Sequence, residues 1–308
     1  MCICFTANAQ EEVSTAFFEN QVMRFGQLDP TKVPTGILYE AGFPFTDIET
    51  FNGTDLPDSL YVNGGTVKSI YKTIFSSIVD ETNESLYNLQ IPDEYEEEWL
   101  SARNTDEVIL SGMLFKYNLF KEDAYQQEQI MVNGSGALID VPGQNPYTEN
   151  YTVGIAPGFK TFYGKEMNVK LPSSLFKSNL LENIENIQID FGDGLGFRTV
   201  TFNQPIAVTY ATPGDKEWRY RIRISGGLTL DSRSVIGIVD WENPIPVTGS
   251  VYCGMWNMTR KVTATKAHLG EYGELNLTIR CSGDGIINNP LIVVEGFDIG
   301  NLFDPESK

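Results

Sequence analysis

The eight residues Glu217–Ile224 constrain the fold more tightly than any other stretch of the chain. Trp218, Tyr220, Ile222 and Ile224 alternate with Arg219, Arg221 and Arg223. A period of two places the aromatic and aliphatic side chains on one face of a strand and the three guanidinium groups on the other. Arginine is buried only when it is paired, so the strand must turn one face to a core and the other outward. The arginine face allows two readings. It recognises an acidic glycan or carboxylate, or it is a solvated face that offsets an acidic chain.

The surroundings supply neighbours for that strand. Short apolar runs occur at Val108–Phe120 around Gly112, Gln129–Val132, Ala137–Val141, Tyr151–Ile155, Glu166–Leu171, Ile187–Phe191, Arg198–Phe202 and Pro205–Tyr210. Gly, Asn and Pro separate them, and Asn133-Gly134-Ser135-Gly136 reads as a hairpin turn. So many short strands at close spacing predict a β-sandwich. Upstream, Pro30, Pro34, Pro44 and Pro57 interrupt any long element. Val33–Tyr39 reads as a turn into a short strand. Val67, Ile70, Tyr71, Ile74, Phe75 and Ile78 predict an amphipathic helix over 66–80, entered through Gly64-Gly65. The expected class is mainly β with a minor helical N-terminal region.

Charge narrows the function classes. The 308 residues carry 41 acidic and 22 basic side chains, a formal net charge of −19. Such a chain repels phosphate, which argues against sequence-independent nucleic-acid binding. Residues 80–107 hold ten of the acidic side chains and one basic, Arg103. The run Asp93-Glu94-Tyr95-Glu96-Glu97-Glu98 reads as a solvated helix face or loop, with a cation or basic-partner site as the competing reading. A single histidine, His268, cannot build a multi-histidine metal centre. No metal site, cofactor or catalytic residue is expected, and no run of 18 apolar residues encodes a membrane-spanning helix.

Two phrases carry a resemblance. Ile189-Asp190-Phe191-Gly192-Asp193-Gly194 resembles the W-D-F-G-D-G signature of PKD domains, with Ile189 in place of tryptophan. Val208-Thr209-Tyr210-Ala211-Thr212-Pro213-Gly214 is similar to the H-T-Y-x-x-x-G that accompanies it. The resemblance implies an Ig-type sandwich over 146–226. Phe191 would point inward, Asp193 and Gly194 would turn the chain, Tyr210 would pack beside Phe191, and Gly214 would lead into the last strand. PKD modules are non-catalytic extracellular spacers or binding modules. Asp190 and Asp193 then read as structural groups that accept backbone N–H bonds.

A wider resemblance is to secreted multidomain bacterial proteins in which a PKD-like part leads into an α/β-hydrolase-like domain. Pro290-Leu291-Ile292-Val293-Val294 is followed by Glu295-Gly296-Phe297-Asp298, similar to the first buried strand and oxyanion loop of that fold. Gly296 and Phe297 would form the loop, and Glu295 stands where histidine commonly precedes the glycine. At the other end, Ala7-x-Ala9 matches a signal-peptidase pattern and predicts export. Cys253 and Cys281 could pair as a disulfide in an exported chain, or remain buried thiols. The expected organisation is a signal remnant at 1–9, a mixed α/β region at 10–145, the sandwich at 146–226, a small β region at 227–288, and the opening of an α/β domain at 289–308. The expected role is a non-catalytic extracellular binding or spacer module, with carbohydrate or another surface protein as partner. The alternatives are the N-terminal part of a secreted ester or peptide hydrolase, and a cell-surface adhesion or glycan-binding protein.

Overall fold

The computed structural model describes residues 19–54, 56–102 and 107–239, with strand backbone at 251–252, 258–263, 274–279 and 286–287. Two units divide the chain, Met1–Val239 and Asp240–Lys308. In the second, Val251–Tyr252 pairs with Ile286–Ile287 and Met258–Thr263 pairs with Glu274–Ile279, both antiparallel.

The first unit is mainly β. Its strands are β1 (Glu107–Phe120), β2 (Ile130–Val132), β3 (Leu138–Asp140), β4 (Tyr147–Pro157), β5 (Thr161–Tyr163), β6 (Glu166–Lys170), β7 (Phe176–Ser178), β8 (Ile184–Asp190), β9 (Phe197–Val200), β10 (Ile206–Thr209), β11 (Gly214–Ile224) and β12 (Thr229–Val239). One sheet has the order β10-β6-β1-β4, with β7 also paired to β1; the other has the order β5-β12-β11-β8-β9. They face each other across a core that joins Val108, Leu110 and Leu114 to Ile189, Trp218, Tyr220, Ile222, Leu230 and Ile236. This is a β-sandwich. Its sheets take in β1 and β12, which lie outside the 146–226 segment that the sequence suggested.

β1 explains the difference. Val108, Leu110 and Leu114 enter the sandwich core, while Ile109, Met113, Phe115 and Tyr117 point to the opposite side. There they meet helix α1 (Gly64–Ser76) through Val67, Ile70, Tyr71 and Ile74, and helix α2 (Pro92–Ala102) through Tyr95 and Trp99. A strand buried on both faces reads as a continuous apolar run, so its alternation is invisible in the sequence. The result is three layers: helices, first sheet, second sheet.

The helix expected over 66–80 spans Gly64–Ser76. Asn63 caps it, accepting N–H bonds from Gly65 (2.9 Å) and Thr66 (3.1 Å). At the other end Ser77 returns its hydroxyl to the Thr73 carbonyl, and Ile78 leaves to bridge Ile37. The acidic run lies on α2 and its surroundings. Tyr95 and Trp99 bury one stripe of this helix, while Glu96 pairs with Lys68 and Glu98 accepts from Gln90. The Asn133–Gly136 hairpin joins β2 and β3, with Val132 opposite Leu138.

Candidate functional site

Two neighbouring features of the second sheet decide what the molecule presents: the corner after β8 and the outer face of β11. At the corner, the Asp190 carboxylate accepts the Gly192 N–H (2.9 Å) and the Asp193 carboxylate accepts the Leu195 N–H (3.1 Å). Gly192 has φ of +66°, and a Cβ there would lie 2.9 Å from the Glu217 carbonyl oxygen. Only glycine fits that turn. Phe191 is fully buried with its ring edge-on to Trp218, centroids 5.0 Å apart. Tyr210 donates its hydroxyl to the Phe191 carbonyl (2.7 Å) and accepts from Trp218 Nε1 (2.7 Å). Burial pushes the Tyr210 phenol up to about 12.

Arg198 completes the corner. Its guanidinium pairs with Asp193, lies 4.6 Å over the Phe191 ring and donates to the Ala207 carbonyl (2.8 Å) on β10. Since β10 belongs to the other sheet, this one side chain links the two sheets. Gly214, with φ of +108°, opens β11. The Asp190 and Asp193 carboxylates, the Tyr210 hydroxyl, Trp218 Nε1 and two nitrogens of Arg198 hold the turn, while Arg198 Nε is buried without a hydrogen-bond partner; the geometry is that of a structural joint.

The outer face is built by register. On β11, Arg219 lies between Asp190 of β8 and Arg233 of β12; Arg221 lies between Gln188 and Asp231; Arg223 lies between Asn186 and Thr229. All three arginines point outward while Trp218, Tyr220, Ile222 and Ile224 are buried. Each has a carboxylate partner. Arg219 Nε donates to Glu217 (2.5 Å), and Arg223 Nε lies 2.9 Å from Glu185. Arg221 forms a two-pronged pair with Asp231, at 2.9 and 3.1 Å. Its guanidinium also lies 4.5 Å over the Phe197 ring of β9. The Arg219 bond, and then the Tyr61 hydroxyl, hold the Glu217 carboxyl below the usual carboxylate range.

A segment from the N-terminal region walls one side of this face. Asp231 N–H donates to the Gly53 carbonyl (2.8 Å) and Val62 N–H donates to the Arg233 carbonyl (2.7 Å), so Gly53 and Val62 cover an edge of β12. Arg233 donates to the Leu56 (3.0 Å) and Pro57 carbonyls and lies 5.8 Å over the Tyr61 ring. Tyr61 donates its hydroxyl to Glu217 (2.9 Å). Two open depressions lie on this face. One, of about 370 Å³, is lined by Gly53, Leu56, Phe197, Arg221, Asp231 and Arg219 among others. The other, of about 410 Å³, is lined by Asp190, Gly192, Asp215, Lys216, Glu217 and Arg219. Arg219 belongs to both.

Sequence reasoning placed the three arginines on one face but did not find Phe197, Asp231, Arg233 or Tyr61. A signal existed for β12: Leu230, Ser232, Ser234, Ile236 and Ile238 alternate with Asp231, Arg233 and Val235. No periodicity marks 53–62. Among the described residues no group of three His, Cys, Asp or Glu side chains could hold a metal ion, and no helix is long and apolar enough to cross a membrane. Cys253, Cys281, His268, Gly296 and Phe297 lie outside the described residues.

No family model matches the chain, and a search of curated proteins found no match. Two solved structures are similar to parts of it. One is a carbohydrate-binding module of the β-sandwich superfamily, at 21% identity and a TM-score of 0.19, covering 30% of this chain and 39% of that one. The other is SGBP-B of a Bacteroides ovatus mixed-linkage glucan utilization locus in complex with a mixed-linkage heptasaccharide. It is 12% identical at a TM-score of 0.14, covering 55% of this chain and 64% of that one. The chain spans less than two thirds of either structure.

Proposed function

We propose that this chain is a non-catalytic extracellular binding module that holds a carbohydrate on the outer face of its second sheet. The observation that carries the reading is the meeting of two open, polar depressions at Arg219. Their volumes fall at the small end of the range of ligand sites. They lie side by side on one face with Arg219 in both linings, an arrangement that would suit a chain-like ligand. The face offers fixed donors (Arg219, Arg221) beside fixed acceptors (Glu217, Asp231), and sugar hydroxyls need both. A protein partner would call for a more apolar centre than these residues provide. The Phe191–Tyr210–Trp218 joint keeps the sheet rigid beneath the ligand, which lowers the entropy cost of binding. The Ala7-x-Ala9 pattern supports the extracellular part of the reading.

Electrophoresis through gels that contain dissolved polysaccharides tests the proposal. At least one polysaccharide should retard the wild-type chain, and Arg219→Ala with Arg221→Ala should lose at least about tenfold in affinity, the effect of truncating a binding hot spot. Equal retardation of wild type and double variant, or none by any polysaccharide, would overturn it.

A further inference from the structure

We infer that the glycan held on this face is uncharged; the inference rests on the reading of the face as a carbohydrate site. Its ground is a one-to-one compensation of charge. Each of the four arginines on the face has its own carboxylate: Arg219 with Glu217, Arg221 with Asp231, Arg223 with Glu185 and Arg233 with Asp58. The second depression adds Asp190 and Asp215 against Lys216 alone. A row of arginines in the sequence therefore becomes, in the folded molecule, a face without surplus positive charge.

An acidic sugar would have to seat its carboxylate beside one that the sheet already holds in place. The Asp231 pair is two-pronged, and its partner is also stacked on Phe197. The incoming carboxylate would then stand close to Glu217 or Asp231, and like charges that close at a protein surface repel each other. An uncharged sugar meets no such repulsion. A guanidinium has five N–H donors, and Arg219 commits its Nε–H to Glu217 while 62% of its side chain stays exposed. Hydroxyl groups can accept from the outward N–H groups and donate to the free lone pairs of Glu217 and Asp231. The aromatic Phe197 lies beneath Arg221, so the face grips through polar contacts.

Calorimetric titration of the whole chain with an uncharged β-glucan and with polygalacturonate tests the inference. The β-glucan should bind, its affinity changing by less than about twofold between ~0.05 and ~0.5 M NaCl, because no net charge is screened. Polygalacturonate should bind at least about tenfold more weakly. Glu217→Gln with Asp231→Asn, its fold checked by circular dichroism, should free the arginines and raise polygalacturonate affinity about tenfold. Tighter wild-type binding of polygalacturonate, collapsing in salt and abolished by Arg219→Ala with Arg221→Ala, would overturn the uncharged ligand while leaving the carbohydrate site standing. Failure of both sugars, or binding indifferent to the arginine substitutions, would overturn the site itself.

Discussion

Tyr210 shows how much one side chain can carry in this molecule. Its hydroxyl is both donor to the Phe191 carbonyl and acceptor from Trp218 Nε1, all in a buried setting. Replacing Tyr210 with Phe keeps the ring and strands two buried partners. The cost of such unpaired groups is about 1–3 kcal/mol. Urea denaturation of Tyr210→Phe should therefore show a lower midpoint with an unchanged slope; a midpoint equal to wild type would show that the joint does not hold the corner. At this scale the sequence was informative wherever partners are close along the chain. Asp190, Gly192, Asp193 and Gly194 fall within five residues, and their turn chemistry is visible there. The arginine row was equally visible. Its neutralisation was not, because Arg221 finds Asp231 across a hairpin and Arg233 finds Asp58 from a distant segment.

At the scale of elements, local patterns and non-local pairings separate. β11, the Asn133–Gly136 hairpin and helix α1 follow from alternation, turn residues and a 3.6-residue stripe. β1 does not. It is one 14-residue strand that pairs antiparallel with β4 and parallel with β6 and β7. Parallel pairing depends on long connections that leave no local mark. Because both faces of β1 are buried, damage to the helical layer should reach the sandwich. Ile70 of α1 is fully buried, and its methyl end would lie 3.1 Å from a Cβ on Gly154 of β4. Ile70→Ala should cost about 2–5 kcal/mol. With Trp241 and Trp256 replaced by Phe, near-ultraviolet dichroism reports Trp218 in the sandwich and Trp99 on α2, and it should lose both environments in one transition. Two separate transitions would show that the layers are independent.

On the scale of the whole molecule, charge and architecture divide the labour. The acidic excess is concentrated in and near α2, where Glu96 and Glu98 engage Lys68 and Gln90 beside a buried Tyr95–Trp99 stripe. The far side of the second sheet, across the sandwich core, carries the arginine face with its matched carboxylates. One surface is thus strongly anionic and the other balanced, and the proposed ligand belongs to the balanced one. The most direct test is a titration followed by NMR of the arginine side-chain Nε–H signals, with an uncharged β-glucan as ligand. The signals of Arg219 and Arg221 should move on binding, while those of Arg198, locked in the corner, and Arg24, in the N-terminal region, should stay in place. Binding that moves Arg198 or Arg24 and leaves Arg219 and Arg221 unshifted would contradict the account.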